Sequence, residues 1–201
     1  HHPVPFVDGG KMDAKNSIKL AFMLATDEVE YADRAGCWGT CHADLDEMPF
    51  APKGQEVTKY IGESRTEIEI KGRNDAPLGG WDKRKSQADI DAEFTAQHFM
   101  DIIRYKSGDN AVEDGHVLAD RIMNEAVISQ ANGVKQGKKW TVEFKRPLAQ
   151  SEGNLGLALD KQYNFGFAIH DDHTNGRFHH VSFGYKLGFD NGDVEINAVK
   201  Q

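Results

Sequence analysis

The two cysteines of the chain, Cys37 and Cys41, lie four positions apart, and His42 follows the second one directly. Two thiols and an adjacent imidazole are the groups that attach a haem through thioether bonds and ligate its iron. The usual spacer between such cysteines has two residues, and this spacer has three. Gly39 lies within it, and its unrestricted backbone lets one extra residue bulge out. We therefore expect one haem c attached at Cys37 and Cys41, with His42 as the proximal iron ligand.

The same residues permit three other kinds of chemistry. A disulfide between Cys37 and Cys41 would close a small, strained loop and leave His42 without a role. A zinc site could use all three side chains, but it needs a fourth ligand, and no second Cys/His pair at finger spacing exists. A redox dithiol normally has a two-residue spacer within a βαβ pattern, which we do not find. These three alternatives explain less of the motif than haem attachment does.

A six-coordinate haem needs a second ligand opposite His42, and the chain offers nine histidines and five methionines. The strand-like segment 177–187 narrows the choice, because its odd-numbered positions form an apolar row that includes a histidine. We expect His179 as the distal ligand and His180 as the second choice. A core imidazole bonded to a backbone carbonyl is the alternative explanation of such a histidine. The row consists of His179, Val181, Phe183, Tyr185 and Leu187.

Other candidate ligands fit the pattern less well. Met48 and Met100 are the thioether rivals, and each is also explained as a packing residue. His116, His170 and His173 lie in acidic or turn-like stretches, and we expect them to be exposed. The chain has no further attachment motif, so the sequence predicts a single haem.

The elements that must position these residues are mostly short strands. Alternation predicts a strand at 17–24 with one face in a core, leading through an acidic stretch to the cysteine loop. A helix is predicted with Ser86 as N-cap and Asp89 three residues on, and a second short helix at 113–124. The pattern as a whole predicts a mainly β fold, an antiparallel β-sandwich with a few helices in the connections. Further strands are expected at 66–70, 99–106, 140–145, 163–169, 177–189 and 194–199.

Size and charge limit the classes of protein that the chain can belong to. With 201 residues it most naturally forms one domain, 1–201, large enough to bury a core and a prosthetic group. The net charge of -8 argues against general nucleic-acid binding, which needs a basic face. No apolar run approaches the length of a membrane span and no signal peptide opens the chain. We expect a soluble mature protein or a soluble domain excised from a larger cytochrome.

Several segments together resemble the haem-binding domain family of the ethylbenzene dehydrogenase γ subunit and dimethyl-sulfide dehydrogenase type. The ordered set covers most of the chain from about residue 18 onward, and the set rather than any one segment carries the resemblance. The segments are Phe99–Ser107, Lys139–Leu148, Phe165–Asp171 and His179–Ser182.

The resemblance implies a β-sandwich that holds one haem between loops at one end and transfers electrons in the periplasm. In the γ subunits the haem is a non-covalent b type with methionine and lysine as axial ligands. This chain departs in both respects, because it carries the covalent motif and because His179 and His180 stand where the family's ligating lysine before Val-Ser falls. That placement favours His179. The chain is similar to a c-type branch of the family, often found with multihaem quinol-oxidising cytochromes.

The function expected is outer-sphere electron transfer by a periplasmic monohaem cytochrome domain with two histidine ligands, and not enzymatic turnover. Its expected partners are redox proteins, such as a quinol-oxidising multihaem cytochrome or a molybdoenzyme. Two other classes stay open at this point. One is a haem-based sensor or enzyme with a labile sixth ligand. The other is a haem-free β-sandwich binding module with a Cys37–Cys41 disulfide.

Overall fold

The computed structural model of the chain describes residues 17–29, 32–33, 86–118, 121–170 and 180–200, with the backbone alone at position 121. The strand expected at 66–70 lies outside these residues. The described residues form a helix and ten strands. These are β1 (Lys19–Ala25), α1 (Gln87–Thr95), β2 (Met100–Lys106), β3 (Ala111–Val117), β4 (Arg121–Glu125), β5 (Gln130–Gln136), β6 (Lys139–Lys145), β7 (Tyr163–His170), β8 (His180–Val181), β9 (Tyr185–Phe189) and β10 (Ile196–Ala198).

Eight of the strands form one sheet in the order β10-β9-β7-β1-β2-β3-β4, with β8 also paired to β7. The neighbours are antiparallel except for β10, which runs parallel to β9 at the sheet edge. The other two strands form the antiparallel hairpin β5–β6. The mainly β class predicted from the sequence is therefore confirmed, and the last strand, β10, lies at an edge of the sheet.

The hairpin β5–β6 packs on one face of the sheet, which we call the hairpin face. Phe22 of β1 contacts Phe144 of β6 edge-on, with ring centroids 4.6 Å apart. Gly133 of β5 lies on the ring of buried Tyr105, because a Cβ at Gly133 would come within 2.3 Å of the Tyr105 hydroxyl oxygen. Only a residue without a side chain allows this approach. Alternation along β1 puts Leu20, like Phe22, on the hairpin face.

The opposite face of the sheet, which we call the far face, also carries a core. Ala21 and Met23 lie on it and are only 4% and 6% exposed. The prediction that β1 has one face in a core is therefore too narrow, since both faces are buried. The reason is the central position of β1 between β2 and β7. The far-face cluster comprises Ala21, Met23, Met100, Ile102, Val117 and Ala168, with Met123 and Val181 packed against it.

Helix α1 begins where the sequence predicts. The Asp89 N–H donates a hydrogen bond to Ser86 Oγ at 3.2 Å, so Ser86 is the N-cap. The second helix expected at 113–124 is wrong, because β3 and β4 form an antiparallel pair there. Pairing of β3 with β2 overrides the local pattern. Gly115 permits the pair, since a Cβ there would lie 1.9 Å from the Ile122 carbonyl oxygen.

A buried ion pair fastens the chain after β6 to strand β2. Arg146 donates to Asp101 Oδ2 and to the Leu155 carbonyl oxygen, each at 2.5 Å. The Leu155 N–H also donates to Asp101 Oδ2, at 2.8 Å. Asp101 is 1% exposed, and burial raises the pKa of its carboxyl although Arg146 opposes that shift. These contacts hold the segment that follows the hairpin against the hairpin face.

Candidate functional site

Most residues that the sequence singles out for haem binding lie outside the described part of the chain. They are Cys37, Cys41, His42, His179 and Met48, and His173 lies outside it as well. The structure does describe His180 and Met100, and it describes chain close to both halves of the predicted site. Two segments matter here, residues 32–33 ahead of the cysteine motif and residues 180–184 at the histidine pair.

These two segments contact one another at Gly184. A Cβ on Gly184 would lie 3.0 Å from the carbonyl oxygens of both Ala32 and Asp33. Ala32 is buried with Ala25, a far-face residue of β1. Cys37 follows Asp33 by four residues, and four residues span at most about 14 Å. Residues 32–33, which precede the cysteine motif, therefore lie beside Gly184, and Ala32 packs on the far face.

Strands β8 and β9 pair with the same edge of β7 but in different registers. In β9, Tyr185 pairs with Phe165, whereas in β8, Val181 pairs with Ala168. The three residues 182–184 thus stand opposite two residues of β7, which makes a β-bulge with one extra residue. The bulge reverses the alternation, so Val181 lies on the far face and Tyr185 on the hairpin face.

The apolar row expected from residue 179 to residue 187 is therefore wrong. The bulge divides it, and Phe183 within the bulge is 82% exposed instead of lying in a core. Ser182 holds the irregular backbone in place. Its N–H donates to the Phe167 carbonyl oxygen, and its Oγ accepts from the Phe167 N–H, both at 2.9 Å. A side-chain oxygen thus replaces a strand carbonyl, and this exchange leaves no periodic signal in a sequence.

His180 and Val181 lie on opposite faces of the sheet. His180 pairs with Ile169 on the hairpin face and is exposed, whereas Val181 packs against the far-face cluster. Met100 is a buried member of the same cluster, 2% exposed. Of these residues, only Val181 and Met100 lie on the far face, on which Ala32 packs with Ala25.

Two histidines expected to be exposed are not. His170 ends β7, is 7% exposed, and lies on the far face in register with Lys19. His116 is half-buried, with its ring 4.9 Å from Phe94 and 5.4 Å from Phe99. Burial lowers the pKa of His116. Acidic sequence neighbours do not expose them, because both lie within the sheet: His116 is in register with Asp101 and Ile122, and His170 with Lys19.

Neither a metal cluster nor a membrane span is found in the described residues. No group of three or more His, Cys, Asp or Glu side chains is arranged there to hold a metal ion. Within the same residues, no helix is long and apolar enough to cross a membrane.

The described fold is an antiparallel β domain of the class that the resemblance implied. The family described as Ethylbenzene dehydrogenase matches residues 55–182, more than half of the 201-residue chain. The chain belongs to this family. The match starts after His42, so it does not depend on the cysteine motif.

Two curated relatives align with nearly all of the chain. Cytochrome c-552 of Stutzerimonas stutzeri is 38% identical over 192 residues, which cover 94% of this chain and 55% of the relative. Cytochrome c-551 of Rhodocyclus tenuis is 31% identical over 191 residues, which cover 94% of this chain and 57% of the relative. The chain thus spans a little over half the length of these relatives. No solved structure matches it significantly.

Proposed function

We propose that this chain is a c-type cytochrome domain that transfers electrons through one covalently attached haem. Cys37 and Cys41 attach the haem, and His42 ligates the iron on one side. The observation that carries the proposal is the alignment with two proteins named cytochromes c over 94% of the chain, too large a share to leave out the cysteine motif. Bound haem supplies a one-electron redox centre.

The contact at Gly184 supports a site that joins the two halves of the chain. The carbonyl oxygens of Ala32 and Asp33 lie against Gly184. The chain four residues before Cys37 is therefore beside the chain four residues after His180. From Asp33 to His42 is nine residues, a reach of at most about 32 Å. The cysteines, His42 and the histidine pair can therefore meet around one haem without rearrangement of the sheet.

His179 is our proposed distal ligand, and the alternation in β8 supports it over His180. Val181 lies on the far face and His180 on the hairpin face. If the alternation of β8 continues by one residue, residue 179 also belongs to the far face, the face on which Ala32 packs with Ala25.

With both axial positions filled by imidazoles, the domain needs no substrate at the iron, so we assign it electron transfer and not catalysis. Two imidazoles favour a fairly low potential, which exposure and hydrogen bonds to the ligands tune further. The net charge of -8 suits a redox partner with a basic docking patch. A quinol-oxidising multihaem cytochrome or a molybdoenzyme is the proposed partner, and the periplasm the proposed location.

Denaturing mass spectrometry tests the covalent haem. Protein matured in a periplasm should have the mass of the chain plus one haem, and a Cys37→Ala/Cys41→Ala variant should lose that addition. Thr40→Ala, which changes the spacer but no thiol, is the matched control and should keep the haem. An unmodified mass with an intact disulfide between the two cysteines would refute the proposal.

Absorption spectra of two neighbouring variants test the distal ligand. His179→Ala should show a high-spin component and new CO binding while the haem stays attached, whereas His180→Ala should keep the low-spin spectrum. His179→Met should stay six-coordinate with a raised potential, because a thioether favours ferrous iron. The reverse pattern assigns the ligand to His180, and no effect of either variant leaves Met48 and Met100.

The sensor or enzyme class makes a different prediction. If the sixth position is labile, the unaltered ferrous protein binds CO tightly. We expect no such binding and no turnover of small substrates by the domain, only redox cycling with artificial donors and acceptors.

A further inference from the structure

A cavity of about 720 Å³ lies on the hairpin face at the β3–β4 edge of the sheet. This volume is within the range of small-molecule binding sites, roughly 300–1,000 Å³. His116 and Asp114 of β3 line it together with Ile122 of β4, helix α1 contributes one wall, and residues 151–154 contribute another. None of the described residues that line the cavity belongs to the proposed haem site, and Ala32, which precedes the cysteine motif, packs with Ala25 on the far face.

The described residues that line the cavity give it negative charge and apolar walls. They include four carboxylates and neither lysine nor arginine. Burial lowers the pKa of His116, so its ring adds no positive charge at neutral pH. The carboxylates are Asp91, Asp114, Glu125 and Glu152, and the apolar residues are Ile90, Phe94, Leu118, Ile122, Val127 and Ile128.

Asp114 gives evidence for a ligand that does not depend on the number of acidic residues. Its side chain is buried, with the residue 8% exposed, and Oδ2 accepts a hydrogen bond from the Ser129 N–H at 3.2 Å. Oδ1 is buried and has no hydrogen-bond partner within the described residues. A buried carboxylate oxygen without a partner is costly, because the group loses its hydration and gains nothing. A ligand that donates a hydrogen bond to Oδ1 would satisfy this oxygen, and a cationic donor would also match the negative charge of the lining.

The mouth of the cavity exposes apolar side chains that the fold itself does not cover. Val127 is 93% exposed and Ile122 is 44% exposed. Elsewhere in the lining Gly153 comes close to His116, since a Cβ on Gly153 would lie 3.0 Å from His116 Nδ1. The backbone of Gly153 has a φ of +74°, which a side chain would disfavour. Glycine at position 153 thus lets the backbone lie close to His116. The lining of the cavity combines the buried carboxylate of Asp114 with the exposed apolar side chains of Val127 and Ile122.

We propose that this cavity binds a small organic ammonium compound, with its nitrogen donating to Asp114 Oδ1 and its apolar body against Ile90, Phe94 and Ile122. A charged donor to a buried carboxylate is among the stronger hydrogen bonds in proteins. The apolar body would cover surface that is otherwise exposed to water. This binding does not depend on haem, so failure of either proposal leaves the other standing.

Isothermal titration calorimetry of the full chain with 2-phenylethylammonium tests the proposal. We expect saturable binding with one site per chain. The neutral analogue 2-phenylethanol, which has the same ring and spacer, should bind about tenfold or more weakly, because it lacks the charge that pairs with the carboxylate. Phenylacetate, which has the opposite charge, should not bind measurably.

Three variants locate the site. Asp114→Asn should weaken 2-phenylethylammonium binding by about tenfold or more, whereas Asp109→Asn, an exposed aspartate outside the cavity, should not change it. Ile122→Trp puts a larger side chain into the lining of the cavity and leaves Asp114 in place; it should abolish binding, so a test remains if Asp114→Asn does not fold. The proposal is overturned if 2-phenylethylammonium fails to bind, if the alcohol binds equally well, if Asp114→Asn binds the ammonium compound as tightly as the unaltered chain, or if Ile122→Trp still binds it.

Discussion

Because residue 184 is a glycine, without a side chain, the backbone of residues 32–33 can lie against it. The carbonyl oxygens of Ala32 and Asp33 occupy the space that a Cβ would need, at 3.0 Å. The residue types of the proposed site could be read from the sequence, because cysteine spacing and an adjacent histidine have few explanations. The contact of Gly184 with Ala32 and Asp33 could not be predicted from the sequence, because a sequence pattern does not say which glycine another segment approaches.

We predict that Gly184→Ala destabilises the fold by about 1–2 kcal/mol, because two backbone carbonyls must move to accept a methyl group. Gly192→Ala is the matched control, since no atom lies within 4 Å of the Cβ there, and it should change stability by no more than about 0.5 kcal/mol. Urea denaturation of both variants measures the difference. Equal stabilities would show that residues 32–33 yield without cost.

His116 should make stability depend on pH. Burial lowers its pKa in the folded protein, so below the ordinary value of 6.5 the unfolded chain takes up the proton more readily than the folded chain. The free energy of unfolding should therefore fall as pH falls from 6.5 through the lowered pKa. His116→Phe, which keeps an aromatic ring beside Phe94, should have a shallower dependence in that window. Denaturation curves above and below pH 6.5 compare the two, and an unchanged slope would contradict the prediction.

Among the elements, alternation located the strands whose two faces differ clearly. β1, β2, β6 and β7 were predicted, and so was α1 from its cap at Ser86. The sequence predicts a helix at 113–124, where the pattern is ambiguous, and pairing with β2 makes this stretch the strands β3 and β4 instead. β5 was missed because its sequence is largely polar and most of its side chains are exposed. The bulge was also missed, because apolar residues before and after it fit a single uninterrupted alternation from residue 179 to residue 187.

The ion pair between Arg146 and Asp101 should be essential for docking the chain after β6. Arg146→Met leaves the Asp101 carboxylate buried without its cation, so we expect a loss of about 3–5 kcal/mol in stability. Lys145→Met, at the exposed neighbouring position, is the control and should cost no more than about 0.5 kcal/mol. Thermal or chemical unfolding measures both.

A double-variant cycle separates the pair from the packing around it. Arg146→Met combined with Asp101→Asn should cost less than the two single changes together, because the stranded charge is gone. Additive costs would mean that the two side chains act independently.

At the scale of the molecule, the sheet pairs an early part of the described chain, β1, with a late part, β7. β1 comes first in sequence among the described strands, yet it lies between β2 and β7. Neither neighbour can complete the sheet without it. This topology supports our proposal that residues 1–201 form one domain.

We therefore predict a single cooperative unfolding transition for the holoprotein. Far-UV circular dichroism, tryptophan fluorescence and haem absorbance should give coincident denaturation curves, since a two-state domain unfolds all at once. In a Trp38→Phe/Trp81→Phe variant the tryptophan fluorescence comes from Trp140 in β6 alone and reports on the hairpin, which is outside the main sheet. A fluorescence transition clearly separate from the dichroism transition would show that the hairpin unfolds independently.

The extra residue in the segment 182–184 has a consequence for how such proteins diverge. The alternation of side chains in β8 is shifted by one residue relative to the alternation in β9. One residue gained or lost there would exchange the faces of His180 and Val181 and leave β9 and β10 in place. A lineage can therefore change which side chain of β8 lies on which face of the sheet by an insertion or deletion, with no substitution in β8 itself.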